Sequence, residues 1–139
     1  MKIYGSQASG IALPDSDIDL VIILADCIDP GYAVALLRDE LLFYPWVAQI
    51  NGIDTASVPV LKLKVEAEAL SRDLAGIIDI DITFDLIEIP EHTGEETLMV
   101  TQSVLGTYAA VTPLALVLKS LLSSHNLGSS YTGGLNAYS

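Results

Sequence analysis

The chain has one cysteine, few basic residues and no long apolar run, and each shortage excludes a class of protein. Cys27 alone cannot form an internal disulfide, so a disulfide-stapled secreted scaffold is excluded and a reducing compartment is expected. The longest apolar run, residues 20–25, is far shorter than the ~20 residues that cross a membrane. No segment has the pattern of a signal peptide. We therefore expect a nuclear or cytosolic protein.

Six basic residues face 18 acidic ones, which gives a net charge of −12. Proteins that hold a nucleic-acid backbone unaided usually carry an excess of Lys and Arg, because these side chains replace the counterions. An acidic chain needs metal ions, a few well-placed cations or a partner polypeptide to hold a polyanion. The alternative is that the acidity only keeps the protein soluble.

The 139 residues, 51% of them hydrophobic, are enough for one ordinary domain with a single core. The pattern predicts a mixed α/β part, residues 1–90, followed by a helical part, residues 91–139. Strands are predicted at 18–25, 47–53, 58–64 and 77–87, and helices at 7–13, 30–44, 97–108 and 113–125, with either a short helical insertion or an ordered loop at 65–74. Asp29 is predicted to cap the second helix, with Pro30 at its first position. We expect that parts of the domain lie outside both ends of this chain.

The stretch "PDSDIDLVIIL" places two carboxylates at the start of a buried strand. Asp17 and Asp19 are two residues apart, so in an extended strand they project from one face with their Cα atoms about 6.5–7 Å apart. Such a pair can hold a Mg²⁺ ion together with substrate phosphates. The alternative is that both are polar residues of a solvated turn.

A second acidic strand is predicted at "IIDIDITFDLI". Its strict alternation indicates a half-exposed strand, with Asp79, Asp81, Thr83 and Asp85 on one face. A third carboxylate from this strand would complete a two-metal cluster of the kind used in phosphoryl or nucleotidyl transfer.

Gly5 and Ser6 precede the first predicted helix. Backbone N–H groups and a hydroxyl at a helix start suit a phosphate, although Ser6 could instead only cap the helix.

The stretch "GSQASGIALPDSDIDLVI" resembles the Gly-Ser and Asp-x-Asp signature of the DNA polymerase beta-like nucleotidyltransferase superfamily. "VPVLKLK", "IDITFD" and "TPLALVLKSLLSSHNLGSSYTGGLNAYS" are similar to segments of the TRAMP-type nuclear poly(A) RNA polymerases, also called DNA polymerase sigma-like. Terminal uridylyltransferases are close relatives. The resemblance implies an α/β palm, a mixed twisted sheet with helices on one side, over residues 1–90. The start of a helical central domain is implied over residues 91–139.

Carried over by position, the resemblance implies that Asp17, Asp19 and Asp81 are the catalytic metal ligands for Mg²⁺ or Mn²⁺. Asp79, on the same predicted face, ranks second as the third carboxylate. Gly5 and Ser6 match the motif that contacts the phosphates of the incoming nucleotide.

The remaining nucleotide contacts implied by the resemblance lie in the helical part. Lys119 matches a lysine that reaches the β- and γ-phosphates, Tyr138 an aromatic that stacks on the base, and Thr101 a ribose-contacting position. Lys119 could instead be a solvated helix residue and Tyr138 a core residue. Gly133 and Gly134 would let the backbone pass close to the nucleotide.

Two departures from the family pattern each remove a phosphate contact. Ala137 replaces a serine, and Ser123 replaces the second lysine of uridylyltransferases. His92 and His125 have no metal-ligand partners at a useful spacing.

The resemblance implies an enzyme that adds AMP from ATP to RNA 3′ ends in nuclear RNA surveillance, with a protein partner that supplies a basic RNA-binding surface. The alternatives are a terminal uridylyltransferase and a non-catalytic scaffold module of the same fold. We expect these 139 residues alone to be inactive or weakly active.

Overall fold

A computed structural model of the protein describes residues 1–24, 28–55, 58–86, 94–125 and 127. The strands are β1 (Lys2–Tyr4), β2 (Ile18–Leu24), β3 (Val47–Ile53), β4 (Val60–Glu66) and β5 (Ile77–Leu86). The helices are α1 (Gly5–Ser9), α2 (Pro30–Leu41), α3 (Ala67–Leu70), α4 (Gly94–Thr107) and α5 (Val111–Ser124).

The strands form one mixed sheet in the order β1-β2-β5-β4-β3. β2 and β5 are parallel, and the other neighbouring pairs are antiparallel. Parallel pairing places the starts of β2 and β5, the two acidic strands, side by side at one end of the sheet. The predicted α/β fold class is therefore confirmed.

The core lies between α2 and one face of the sheet. Val34 of α2 and Leu61 of β4 are fully buried there, with Ile82 and Phe84 of β5 beside them. The helix can approach closely because Gly52 has no side chain: a Cβ at that position would lie 3.0 Å from Val34 Cγ1. Burial of this apolar face fixes which residues point to the opposite face, because neighbouring residues in a strand alternate.

Most of the predicted elements are present, with shifted ends. Asp29 caps α2 as predicted, since its Oδ1 accepts a hydrogen bond from the Tyr32 N–H at 2.8 Å. α2 ends at Leu41, before the predicted residue 44, and the α conformation is disfavoured for Tyr44 because Pro45 follows it.

The prediction of a helix over 7–13 was wrong in its bounds. α1 begins at Gly5 and ends at Ser9, where Gly10 takes a left-handed conformation with φ of 77°.

The prediction that β5 is half exposed along its whole length was wrong for its second half. Thr83 and Asp85 are each only 7% exposed, so both faces of the strand are covered there. The Thr83 hydroxyl donates to the Leu20 carbonyl at 3.2 Å and lies 3.5 Å from the Tyr4 hydroxyl. The alternation of the sequence identified the two faces, but contacts from neighbouring strands decide which part is solvated.

No single described helix is long and apolar enough to span a membrane. Residues Glu96–Thr107 and Val111–Ser124 pass that test only as a pair, across a bend of 119°.

Candidate active site

Asp19 and Asp81 are neighbours across the parallel strand pair, with their Cα atoms in register. Asp17 lies just before β2, two residues ahead of Asp19. The sheet thus brings together the three carboxylates that the sequence singled out. They lie on the face opposite α2, because Leu20 and Ile82, each one residue further along, belong to the core side.

The three carboxylates affect one another electrostatically. Desolvation, followed by the charges of Asp81 and Asp17, raises the pKa of Asp19 from 3.8 to about 6. Desolvation, followed by the charges of Asp81 and Asp79, also raises the pKa of Asp17. Burial and the neighbouring negative charges therefore disfavour ionisation of Asp17 and Asp19, and a cation placed beside them would favour it.

Two lysines of β4 neutralise the acidic side chains of β5. Lys62 is the register partner of Asp81 and forms an ion pair with its carboxylate. Lys64 is the register partner of Asp79, with 2.5 Å between Lys64 Nζ and Asp79 Oδ1. Asp81 is directly beside Asp19, whereas the charge of Asp79 raises the pKa of Asp17. The rank of Asp81 over Asp79 as the third carboxylate stays a prediction.

Gly5 forms one wall of the site. Its backbone φ is +66°, and a Cβ built on it would lie 2.1 Å from Asp19 Oδ2. Only a residue without a side chain leaves this carboxylate room in its observed position. Ser6 is the second residue of α1. The N-cap of this helix is Tyr4, whose side chain makes no capping hydrogen bond.

Lys119 approaches the carboxylates from α5. Its Nζ donates to the Ile11 carbonyl at 3.0 Å. Desolvation lowers the pKa of Lys119, while the charges of Asp19, Asp15 and Asp17 act in the opposite direction. The Lys119 ammonium is therefore partly buried beside several carboxylates, and its assignment to nucleotide phosphates stays a prediction.

Among the described residues, no group of three or more His, Cys, Asp or Glu side chains is close enough to hold a metal ion as placed. The donor chemistry nonetheless fits a hard divalent cation, because Asp17, Asp19 and Asp81 share one face, and burial together with neighbouring carboxylate charges raises the pKa of Asp17 and of Asp19. The carboxylate of Asp81 is engaged by Lys62. A cation that binds all three must therefore compete with this ammonium.

The sequence did not identify the polar side chains of β3 and β4 beside the carboxylates. A cavity of about 220 Å³ lies there, lined by Asp17, Gln49, Asn51, Lys62, Leu63, Lys64, Asp79 and Asp81. Gln49 and Lys64 are register partners, as are Asn51 and Lys62. The alternation in "LKLK" could have placed the two lysines on one face of a strand, but not shown which strand they meet.

The other predicted site residues are placed as follows. Thr101 lies in α4, next to Gln102, whose side-chain amide donates to the Ala8 carbonyl at 3.2 Å. The Ser123 hydroxyl donates to Asp15 Oδ2 at 3.2 Å. His125 is the C-cap of α5. His92, Gly133, Gly134, Ala137 and Tyr138 lie outside the described residues.

Comparison with known proteins agrees with this fold. Poly(A) RNA polymerase cid14 of Schizosaccharomyces pombe is 27% identical over 99% of this chain and 19% of its own length. Trf4-2 of Drosophila melanogaster, named as an inactive poly(A) RNA polymerase, is 29% identical over 99% of this chain and 31% of its own length. The chain therefore spans less than one third of these two relatives.

A solved structure of the Cid1 poly(U) polymerase with MgGTP bound has the same fold. Its TM-score is 0.75 at 22% identity, over 99% of this chain and 39% of that one. The family model for the central palm domain of the mitochondrial-like poly(A) RNA polymerases matches residues 1–85. The resemblance to this group of nucleotidyltransferases is thus confirmed, and the chain belongs to the family with this poly(A) RNA polymerase palm domain.

Proposed function

We propose that the protein containing this chain is a template-independent RNA nucleotidyltransferase that adds AMP from ATP to RNA 3′ ends. The observation that carries this proposal is the register of Asp19 with Asp81 on adjacent parallel strands, with Asp17 two residues away. Membership in the palm-domain family and the names of the relatives support RNA 3′-end addition.

The reaction is a single displacement at phosphorus. The 3′-oxygen of the RNA forms a bond to the α-phosphorus of ATP, and the bond from that phosphorus to the β-bridging oxygen breaks. Pyrophosphate leaves with that electron pair. The proton of the 3′-hydroxyl passes to the Asp81 carboxylate and on to solvent.

Asp17, Asp19 and Asp81 would hold the Mg²⁺ or Mn²⁺ ions. When bound, such ions lower the pKa of the 3′-hydroxyl and stabilise charge on the phosphates.

Lys119 would bind the β- and γ-phosphates, because its ammonium lies near Asp19 and is partly desolvated. Gly5 and Ser6 would contact the phosphates from α1, Thr101 would contact the ribose, and Tyr138 would stack on the base.

We further propose a nuclear role in RNA surveillance, with a partner protein that supplies basic surface. The net charge of −12 supports the need for such a partner, because so acidic a chain has little cationic surface of its own for RNA. Residues 1–90 would form the palm, and residues 91–139 the start of the helical central domain.

Two alternatives have specific support. The similarity in fold to Cid1, a poly(U) polymerase, favours UTP as the substrate. The similarity to Trf4-2, which is named as inactive, favours a non-catalytic module. The three aspartates are present on one face of the sheet, which supports a catalytic role over the inactive alternative.

A primer-extension assay of the full-length natural protein tests the proposal. Each of the four NTPs is offered separately with a short RNA and Mg²⁺. We expect extension with ATP, and loss of it in the variants Asp17→Asn, Asp19→Asn and Asp81→Asn. Asp73→Asn, which removes an exposed carboxylate from a turn, is the matched control. Preference for UTP would support the uridylyltransferase alternative, and no extension with any NTP would refute catalysis.

A further inference from the structure

We propose that Asp15 weakens the binding of phosphates at Lys119 and so favours the release of pyrophosphate. Its carboxylate competes with the β- and γ-phosphates for the Lys119 ammonium, and the same competition acts on the pyrophosphate that leaves. The inference rests on the proposed function and adds to it a residue that sets the affinity for the phosphates.

Asp15 lies in a closed turn just before Asp17. The Ser16 N–H donates to the Leu13 carbonyl at 3.0 Å, and the Leu13 N–H donates to Ser16 Oγ at 2.9 Å. These two hydrogen bonds join the residues on either side of Asp15 and constrain the backbone that carries it. The exposed carboxylate of Asp15 is therefore held in place although it lies outside a helix or strand.

Two side chains on one face of α5 contact this connection between α1 and β2. Lys119 Nζ donates to the Ile11 carbonyl at 3.0 Å, and the Ser123 hydroxyl donates to Asp15 Oδ2 at 3.2 Å. Lys119 and Ser123 are four residues apart, about one helical turn, so they project from the same side of the helix. The Asp15 carboxylate thus lies against the helix face that carries the proposed phosphate-binding ammonium.

The charge of Asp15 reaches that ammonium. Desolvation lowers the pKa of Lys119, and carboxylate charges act in the opposite direction, with Asp15 weaker than Asp19 and stronger than Asp17. Asp17 and Asp19 are proposed cation ligands, so bound cations would offset their charges. Asp15 has no proposed cation to offset its charge, and it therefore repels a phosphate that approaches Lys119.

Ser123 preserves the negative charge of its partner. A hydroxyl donates a hydrogen bond to the Asp15 carboxylate but leaves its charge in place, whereas the lysine that uridylyltransferases carry at this position would neutralise it. The phosphate side of this chain thus gains an anion where those relatives have a cation. Weaker binding there helps the reaction to proceed, because pyrophosphate leaves from the same lysine.

Binding of inorganic pyrophosphate to the full-length natural protein tests the role of Asp15 without turnover. Calorimetric titrations are run with Mg²⁺ at low salt, and AMP, which lacks the β- and γ-phosphates, is the second ligand. We expect Asp15→Asn to bind pyrophosphate about 3-fold more tightly than the parent, the size expected for an exposed charge pair, and to bind AMP equally. In about 1 M NaCl, where the Debye length is roughly 3 Å, the gain should largely disappear.

Three further variants separate the charge from the structure around it. Asp15→Glu keeps the charge and should bind pyrophosphate as the parent does. Ser123→Ala removes the hydrogen bond but not the charge, so it should not tighten binding. Asp73→Asn, which removes an exposed carboxylate from another turn, is the matched control and should also have no effect.

Unchanged pyrophosphate affinity in Asp15→Asn would overturn the role of Asp15, as would an equal gain in Asp73→Asn or an equal gain for AMP. Any of these results beside intact AMP incorporation would leave the proposed function standing. Absence of incorporation by the parent would instead refute that function, and the pyrophosphate titration does not depend on it.

Discussion

The Cα of Gly5 lies so close to the carboxylate of Asp19 that a Cβ at position 5 would be 2.1 Å from Oδ2. This contact joins the start of α1 to the centre of the acidic site. It explains the glycine at position 5 by two independent requirements, its φ of +66° and the space that the carboxylate needs.

Gly5→Ala should therefore move the Asp19 carboxylate, and the full-length protein should lose more than 100-fold in nucleotide incorporation. Gly10→Ala is the matched control, because Gly10 has a similar φ of +77° but nothing within 4 Å of its Cβ position. Both variants should lose roughly 1–2 kcal/mol of stability from the left-handed backbone. Only Gly5→Ala should lose activity beyond that cost, and equal activity in the two variants would show that the contact with Asp19 is unimportant.

Asp19 should make stability depend on pH when divalent cations are absent. Its pKa is raised from 3.8 to about 6 on folding, so the folded chain binds this proton more tightly than the unfolded chain. The resulting stabilisation is complete below about pH 4 and is lost as the pH rises through about 6.

Asp19→Asn lacks the charge, so above pH 6 we expect it to be more stable than the parent by roughly 1 kcal/mol after discounting for solvent screening. The difference in Tm between variant and parent, measured from pH 4 to pH 8 in EDTA, should shrink towards zero at the acidic end. A difference that stays constant across this range would show that Asp19 ionises normally.

Lys119→Met should raise the KM for ATP at least 10-fold with a smaller effect on kcat, because the ammonium is assigned to the β- and γ-phosphates. Lys119→Arg should retain part of the affinity, since it keeps the charge near Asp19. Steady-state kinetics with saturating RNA measures both constants. An unchanged KM in Lys119→Met would mean that the lysine only bonds the Ile11 carbonyl.

The sequence predicted those parts of the site that lie within one strand. Asp17 and Asp19 could be placed on one face of β2, and Asp81 on a face of β5, because alternation depends only on neighbouring residues. Asp29 could be identified as a cap for the same reason: its hydrogen bond to Tyr32 N–H spans three residues.

Relationships between strands could not be predicted in this way. The pairing of Lys62 with Asp81 depends on the register of β4 against β5, which the buried face and the connecting segment set together. The burial of Thr83 depends on Leu20 and Tyr4, which are more than 60 residues away in the chain. The sequence therefore indicated the carboxylates but not the lysines and amides beside them.

Paramagnetic broadening by Mn²⁺ in NMR spectra of this chain tests the central claim most directly, because it locates the bound cation without requiring turnover. We predict that substoichiometric Mn²⁺ broadens the resonances of Asp17, Asp19 and Asp81 first, and that Asp19→Asn removes this selectivity. Exposed acidic residues such as Glu68 and Asp73 should respond only at higher concentration. Equal broadening over all acidic residues, or selective broadening that persists in Asp19→Asn, would contradict a cation site formed by the three aspartates.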